Sequence, residues 1–502
     1  MPEQAKTYAD FMNEISPSEV YEGLLAYGLF AEQLPPVFTS KPFFDYCQNG
    51  KPSFPKPTIA NYIEYENMRN LNIPRPLGIP NPVAYHYLCK CIAEHWDKLQ
   101  IYFQTVTKLH KHTVSRIHIR KMNNEPHLFE MNYKNWRIDG TPEPDLLIGA
   151  KYVVETDISK CFPSIYSHAL CWALTGKEIA KQCRNDGKKW YNELDKYTRN
   201  ISNGETHGLI IGPHTSNLLS EIILTKIDQV LYDKGYRYIR NVDDFSCYVE
   251  EHDKGQIFLV ELNEQLRHYG FTLNHKKTHI KELPIASAEQ WVHRINSFPI
   301  FSIKNKIDYK DVQAYLDLAV ELMHINENNS AILKYAIKVL SKKQLTTNAK
   351  IYYVKIVLHL TLIYPYLVTL LDKYLFSPFS VDSEIIERFS QKLLTLEISM
   401  RNYEAASFAV YFAIKHNFIL TGINFDCVED SNHPILLLLC NMYHKKQGNH
   451  KEVKLYEDHA IKLMDGDMDA YWIFVYETLS ANTLNNYWKD MKKAGVSFTS
   501  MI

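Results

Sequence analysis

The stretch from residue 236 to residue 249 places the strongest constraint on the fold. Two β-prone arms, residues 236–240 and 245–249, flank the four residues Asn-Val-Asp-Asp. Tyr, Ile, Val and Phe suit a pleated sheet, and Asn and Asp suit a tight turn, so the stretch predicts a β-hairpin. The adjacent carboxylates of Asp243 and Asp244 repel each other at such a tip unless a cation lies close to both. A lone Asp-Asp pair is more often a simple solvated turn.

A third carboxylate changes that balance. Asp157 stands near the end of another β-prone run, residues 152–158. Two strand-borne carboxylate groups can together hold hard divalent cations, which prefer oxygen ligands. The sequence therefore predicts a metal site formed by Asp157 and the hairpin tip.

The bulk properties are those of a soluble protein with more than one domain. A chain of 502 residues is too long for one ordinary core, so two or three domains are expected. The net charge is −1, so any nucleic-acid binding must come from local patches. The nine Cys are scattered without zinc-like spacing, which indicates reduced thiols. With no apolar signal segment at the start and no uninterrupted membrane-length run, a cytoplasmic protein without membrane association is expected.

Positive charge is concentrated in residues 104–122, which contain no acid. Strict alternation within residues 115–120 predicts a strand with Arg116 and Arg120 on one face. This face is either merely solvated or binds phosphate.

Two further segments are rich in Pro or Gly. Residues 70–82 contain four Pro and cannot form a central strand, so they are either a connector or a loop that presents Arg75 to a phosphate. Residues 203–214 form a Gly-bearing loop that leads into a predicted helix over residues 215–231.

The two ends of the chain are predicted to be helical. Near the start, Ser16, Pro17 and Glu19 match a capping box that begins a helix, preceded by a polar tail that carries Tyr8. From about residue 308 strand signals fade, and the pattern indicates stacked helical pairs without a fixed repeat. The predicted helices there are 311–325, 331–340, 348–364, 382–399, 403–416, 434–446, 452–464 and 469–480.

Taken in order, these segments resemble the motifs of reverse transcriptases over about residues 70–300. The matching segments are 75–82 and 116–120 for the finger motifs, and 157–162, 208–221, 241–244 and 273–278 for the four palm motifs. Gly-Pro-x-Thr-Ser in the second palm motif and the long helical C-terminus are similar to the bacterial abortive-infection (Abi) antiphage reverse transcriptases, including the prophage-encoded type.

The resemblance implies an α+β fold, in which a reverse-transcriptase-like palm and fingers are followed by an all-α, HEAT-like domain. The implied divisions are an N-terminal helical segment (1–70) that joins the fingers, the fingers and palm (71–300) and the helical domain (301–502).

The resemblance also implies the site residues. Asp157, Asp243 and Asp244 would be catalytic and, with Ile158, would hold Mg²⁺ or Mn²⁺. The implied nucleotide-binding residues are Arg116, Arg120, Phe162, His207, Gly208 and Lys277. A bulky ring at Phe162 would clash with a 2′-hydroxyl, so dNTPs are the expected substrates.

Two positions depart from the family's usual pattern. His207 stands where many relatives have Gln, and Asn241 stands where many have Tyr or Phe. Both positions lie near the nucleotide or template in relatives, so these departures argue against ordinary templated copying. They leave metal-dependent nucleotidyl transfer in place.

The function implied by the Abi group is template-independent, protein-primed DNA synthesis in phage defence. Such an enzyme would be a homo-oligomer, a trimer or hexamer, with its single-stranded DNA product covalently attached. A priming hydroxyl must enter the site and then leave it, which favours a mobile segment. Tyr8 in the polar tail is the expected primer, and Tyr46, in a loop-like stretch that ends at Asn49 and Gly50, is the second candidate. The alternatives are a templated reverse transcriptase that uses an RNA partner and a non-catalytic nucleic-acid-binding scaffold.

Overall fold

The structure, a computed structural model, describes residues 6–50, 52–68, 74–115, 119–121, 142–286, 289–299 and 306–500. Its strands form a two-stranded and a four-stranded sheet, and helices make up most of the remainder. The strands are β1 (Tyr62–Met68), β2 (Pro74–Pro80), β3 (Tyr152–Asp157), β4 (Tyr238–Asn241), β5 (Asp244–Val249) and β6 (His279–Glu282).

The helices before residue 300 surround the two sheets. They are α1 (Tyr8–Asn13), α2 (Pro17–Tyr27), α3 (Lys41–Asn49), α4 (Pro82–Glu94), α5 (Trp96–Thr107), α6 (Glu143–Leu147), α7 (Cys161–Ser164), α8 (Ala169–Thr175), α9 (Lys177–Gln182), α10 (Trp190–Asn200), α11 (His214–Asp233), α12 (His252–His268) and α13 (Gln290–Asn296). A 3₁₀ turn, His275–Lys277, precedes β6.

The described residues after 305 are helical, as the sequence predicts. Their main helices are α14 (Tyr309–Ile325), α15 (Ser330–Leu340), α16 (Thr347–Ile363), α17 (Val368–Leu371), α18 (Ser377–Phe379), α19 (Ser383–Ser399), α20 (Tyr403–His416), α21 (Pro434–Lys446), α22 (His450–Asp467), α23 (Trp472–Thr478) and α24 (Asn486–Lys493). The eight helices predicted from periodicity are confirmed to within about one turn at each end. A π-helical turn, Asp372–Phe376, lies between α17 and α18.

The N-terminal segment is more ordered than predicted. The capping box that begins α2 is confirmed, because the Glu19 amide donates to Ser16 Oγ at 3.3 Å and the Ser16 amide donates to Glu19 Oε2 at 2.9 Å. A second capping box, formed by Thr7 and Asp10, begins α1. The prediction of a polar tail before Ser16 is therefore wrong for the described residues.

The Pro-rich segment is a strand rather than a loop. β2 pairs antiparallel with β1, from Tyr62 opposite Pro80 to Met68 opposite Pro74. Proline cannot donate to a ladder, and a two-stranded sheet consists only of edge strands, so the prolines are tolerated there. The prediction that this segment cannot be a central strand is confirmed.

The four-stranded sheet has the order β4-β5-β3-β6 and is antiparallel throughout. The predicted hairpin and the predicted strand before Asp157 are both confirmed. Helix α12 packs on β3 and β5, and Gly255 allows this close approach. A Cβ at Gly255 would lie 3.0 Å from Cγ2 of Val154.

The helical part packs directly on the β1–β2 hairpin. The Glu404 carboxylate accepts bonds from the Met68 amide at 2.6 Å and from Asn67 Nδ2 at 2.5 Å. The indole nitrogen of Trp472 donates to the Ile79 carbonyl at 3.4 Å. One continuous hydrophobic core therefore runs from the hairpin into the helices. In the part of the chain that the structure describes, no helix combines the length and apolarity that a membrane crossing requires.

Candidate active site

Backbone pairing brings three carboxylates to one end of the four-stranded sheet. In the antiparallel register of β3 and β5, Asp157 lies opposite Asp244. Asp243 occupies the turn between β4 and β5, and its carbonyl accepts a bond from the Ile158 amide at 3.1 Å. The predicted catalytic residues are thus collected by the strand ladder, which fixes their relative positions before any ligand binds.

The site brings together three carboxylates that differ in their exposure. Asp157 is buried, Asp243 is half-buried and Asp244 is exposed. Burial, followed by the neighbouring charges of Asp244 and Asp157, raises the pKa of Asp243 to about 6. The Lys277 ammonium pairs with Asp157 Oδ2. This hydrogen bond raises the pKa of Lys277.

One carboxylate oxygen in this site is buried without a partner. Asp157 Oδ1 has no hydrogen bond among the described residues. Buried polar atoms are nearly always satisfied, so an orphaned carboxylate oxygen beside two further carboxylates points to a missing donor or cation. Hard oxygen ligands of this kind fit Mg²⁺, which typically takes one or two protein carboxylates.

The turn that carries Asp243 is strained. Val242 has a φ of +57°, a left-handed conformation that is an outlier for a β-branched residue. Backbone strain of this kind costs about 1–3 kcal/mol and persists only where the surroundings impose it. The structure therefore maintains an unfavourable turn at the point where the carboxylates meet.

The segments that carry the predicted nucleotide-binding residues are joined through their backbones. The Leu209 amide donates to the Phe162 carbonyl at 2.9 Å, and the Gly208 amide donates to the Ile165 carbonyl at 2.8 Å. Gly208 has a φ of +92°, which favours glycine. The ring of Phe162 is half-buried against the core, and His207 precedes the glycine. Helix α7, which carries Phe162, and the loop before α11, which carries His207 and Gly208, are therefore hydrogen-bonded neighbours.

The predicted cationic residues are arranged differently from the prediction. Arg116 lies outside the described residues. Arg120 is only 2% exposed, and its guanidinium carbon lies 5.0 Å from the ring centroid of Phe11. The interpretation of Arg120 as part of an open, phosphate-binding strand face is wrong for this structure, because α1 covers it. Lys277, in contrast, lies at the carboxylate site.

Tyr8 is part of the core. Its side chain is 4% exposed, its hydroxyl donates to Glu221 Oε2 at 3.1 Å and its ring stacks on Phe103 at 5.4 Å between centroids. Burial and the Glu221 charge raise the pKa of the phenol well above its ordinary value. The reason for predicting Tyr8 as the priming residue is the mobility expected of a polar tail. The capped helix α1 removes that reason.

A second group of possible metal ligands lies between α4 and α10. The ligand atoms of Cys91, His95 and Glu193 are within 4.8 Å of one another. Lys98 Nζ lies 3.5 Å from His95 Nδ1, and an ammonium so close opposes a second cation. Burial raises the pKa of the Cys91 thiol, which disfavours the thiolate that binds metals. The three carboxylates at the sheet end are not all as close to one another. They nevertheless form the better site for a hard cation, because all their ligand atoms are oxygen.

Comparison with known proteins agrees with this geometry. Residues 98–309 match the family model described as reverse transcriptase (RNA-dependent DNA polymerase). Residues 98–309 are therefore similar to a reverse transcriptase domain. The matched residues include β3, the β4–β5 hairpin, helix α7 with Phe162 and the loop that carries Gly208. No curated protein matches the chain.

Several solved structures of telomerase from Candida tropicalis are similar to the chain. Apo telomerase truncated from its C-terminal domain is 16% identical over 48% of this chain and 54% of its own length, with a TM-score of 0.28. The apo telomerase is 13% identical over 85% of this chain and 75% of its own, with a TM-score of 0.33. The complex with the TWJ fragment of telomeric RNA is 13% identical over 84% of this chain and 65% of its own, with a TM-score of 0.30. The chain thus spans about half the length of the first of these, and similarities this weak assign no function.

The sequence analysis missed a buried ionic network in the region that the family model matches. Arg240 in β4 is fully buried and pairs with Glu221 and Asp228 of α11. The available signal was the pair of acids seven residues apart on a helix that is otherwise apolar along that face. Such acids are buried only when they are paired.

Proposed function

We propose that the chain is a DNA polymerase of the reverse-transcriptase superfamily, which joins dNTPs by metal-assisted nucleotidyl transfer. The observation that carries the proposal is the meeting of Asp157, Asp243 and Asp244 at the sheet end, where one buried oxygen of Asp157 has no partner among the described residues. Together with the Ile158 carbonyl, these residues would hold Mg²⁺, or Mn²⁺ in its place. Bound Mg²⁺ would neutralise developing charge and activate the attacking hydroxyl.

The remaining roles belong to the chain's own side chains. Asp243 must lose its proton to bind a cation, so cation binding should weaken as the pH falls toward about 6, the value to which the pKa of Asp243 is raised in the metal-free protein. Lys277 neutralises Asp157 in the metal-free protein, and it becomes available to the triphosphate once a cation takes over that charge. The ring of Phe162 excludes a 2′-hydroxyl, which selects dNTPs over rNTPs.

The finer proposal rests on the resemblance to the Abi group. Synthesis would be template-independent and protein-primed, the single-stranded DNA product would stay covalently attached, and the activity would serve phage defence. Residues 301–502 would form a HEAT-like domain that supports a trimer or hexamer. The burial of Tyr8 shifts the expected priming hydroxyl to another tyrosine.

Incubation of the purified protein with labelled dNTPs and Mg²⁺, with and without RNA or DNA templates, tests the proposal. We expect incorporation without template, a labelled product that remains with the protein in denaturing gels, and no incorporation by Asp157→Asn. Mass spectrometry after nuclease trimming then locates the modified tyrosine. Incorporation that depends on template would support the templated reverse transcriptase instead, and no incorporation under any condition would support the scaffold.

Light scattering tests the oligomer separately. We expect a trimer or hexamer of the full-length protein at micromolar concentration. A monomeric full-length protein would contradict this part of the proposal without affecting the nucleotidyl transfer.

A further inference from the structure

The strained turn before Asp243 is held by one buried arginine. Arg240 Nη1 donates to the Val242 carbonyl at 2.7 Å. The same guanidinium donates to Glu221 at 2.8 and 3.2 Å and to Asp228 at 2.6, 3.0 and 3.1 Å. Each of its three nitrogens therefore donates a bond, and the planar group is fixed in orientation. Its contact with the carbonyl of the left-handed residue fixes the plane of the peptide bond that leads to Asp243.

Neutral hydroxyl groups around this network donate hydrogen bonds to its carboxylates. One arginine and two acids leave an excess negative charge in a fully buried place. Hydroxyls compensate it, because Tyr8 and Ser115 donate to Glu221 Oε2 at 3.1 and 2.9 Å, and Tyr238 donates to Asp228 Oδ1 at 2.8 Å. Buried ion pairs contribute little net stability because desolvation opposes their attraction. All the charged groups of this network are hydrogen-bonded, yet such a network adds little net stability. We therefore explain it by the geometry that it imposes on the turn.

The network also links the turn to other parts of the domain. Glu221 and Asp228 belong to α11, which begins directly after the loop that contains Gly208. Tyr8 belongs to α1, and the Arg240 amide donates to the Val114 carbonyl at 2.9 Å. The turn is thus fixed relative to the nucleotide loop as well as to its own sheet.

We propose that Arg240 is a positioning residue, which holds the Val242 carbonyl and thereby sets the distance of Asp243 from Asp157 for cation binding. This proposal rests on the proposed nucleotidyl transfer. Arg240 does not touch substrate or cation; it acts through the backbone of the turn. Lysine cannot replace it, because one ammonium cannot reach two carboxylates and a carbonyl in a common plane.

The decisive variant is Arg240→Lys, assayed well below its melting temperature. Outer residues that orient metal ligands typically contribute 10- to 100-fold. We therefore expect kcat to fall at least about tenfold and the half-saturating Mg²⁺ concentration to rise about tenfold, with KM for dNTP changed by about twofold or less. Mn²⁺ should restore part of the activity, because Mg²⁺ demands the more exact octahedral geometry.

The matched control is Arg237→Lys. Arg237 is exposed and lies three residues earlier on the same arm of the hairpin. It should behave as the wild type in every measurement. Glu221→Gln is the second variant, and it should change Mg²⁺ half-saturation in the same direction by a smaller factor, which keeps the test available if Arg240→Lys does not fold.

The outcomes separate the possible roles. If Arg240 only supports the fold, activity will fall in proportion to the folded fraction while Mg²⁺ half-saturation stays unchanged, and that result overturns the proposal. Calorimetric titration with Mg²⁺ alone needs no activity. A wild type that binds Mg²⁺ without incorporating dNTPs would refute the proposed function, whereas weaker Mg²⁺ binding by Arg240→Lys would still support the positioning role.

Discussion

Replacement of Asp243 by Asn should stabilise the metal-free protein while abolishing nucleotide incorporation. The pKa of this carboxyl rises from 3.8 to about 6 on folding, chiefly through burial and then through Asp244. The folded protein therefore binds the Asp243 proton more tightly than the unfolded chain does. Ionisation of Asp243 therefore lowers the free energy of unfolding of the wild type, whereas the uncharged Asn side chain of the variant causes no such loss.

The two pKa values set the magnitude. At pH 7.5 the linkage relation gives a cost of about 3 kcal/mol, and at pH 5 about half of that. Partial exposure of Asp243 screens the interaction, so about 2 kcal/mol is a reasonable expectation at pH 7.5. A chain of 502 residues has an unfolding entropy of about 1 kcal/mol/K, so the melting temperature should rise by about 2 °C.

Differential scanning fluorimetry in EDTA, at several pH values between 5 and 7.5, measures this effect. The advantage of Asp243→Asn should shrink as the pH falls through 6, because the wild-type carboxyl is then protonated. Mg²⁺ should raise the melting temperature of the wild type more than that of the variant, because only the cation-binding protein gains by mass action. The exposed Asp426, replaced by Asn in the same way, should show neither effect. An Asp243→Asn protein that is no more stable than the wild type in EDTA at pH 7.5 would refute the reasoning.

Three further predictions concern single side chains. Phe162→Ala should raise rNTP incorporation relative to dNTP in competition assays, and an unchanged preference would mean that the ring only packs against the core. Tyr8→Phe removes a buried hydroxyl from Glu221, so the free energy of unfolding should fall by about 1–3 kcal/mol in denaturant titrations. The same variant should keep its covalent DNA, and loss of the adduct would restore Tyr8 as the primer. Lys277→Met should increase the thermal stabilisation by Mg²⁺, because no ammonium then competes for Asp157, while incorporation falls; an Mg²⁺ effect equal to that of the wild type would exclude this competition.

The elements that local sequence determines were predictable. The hairpin that contains Asp243 and Asp244 is predicted by β-prone arms on either side of turn residues. The helices after residue 308 are predicted by their apolar periodicity. The carboxylate pair in the turn and Asp157 were identified because acids at strand ends are conspicuous. The antiparallel register that sets Asp157 opposite Asp244 was not predictable, because it depends on how distant strands meet.

The environments that the sequence did not predict have one physical cause. Tyr8 is expected in an open polar tail and Arg120 on an open strand face, and the sequence analysis assigns Arg240 no role; all three are buried. Their partners lie far away in the sequence, as with Tyr8 and Glu221, and no local pattern encodes such pairs. A polar residue becomes a core residue only when a distant partner satisfies it, so polarity alone gives the wrong environment.

Two separate contributions destabilise the turn, and variants can distinguish them. Val242 contributes backbone strain of about 1–3 kcal/mol, and ionisation of Asp243 costs about 2 kcal/mol, chiefly through burial and then through the neighbouring charge of Asp244. A cation relieves the second cost but not the first, which the contact of Arg240 with the Val242 carbonyl opposes. Removal of the charge should therefore raise stability and leave the turn in place, whereas removal of the anchor should leave the charge and release the turn. Both variants lose Mg²⁺ affinity, but their melting temperatures in EDTA should move in opposite directions. This difference in sign distinguishes a carboxylate that binds the cation from an arginine that only positions it.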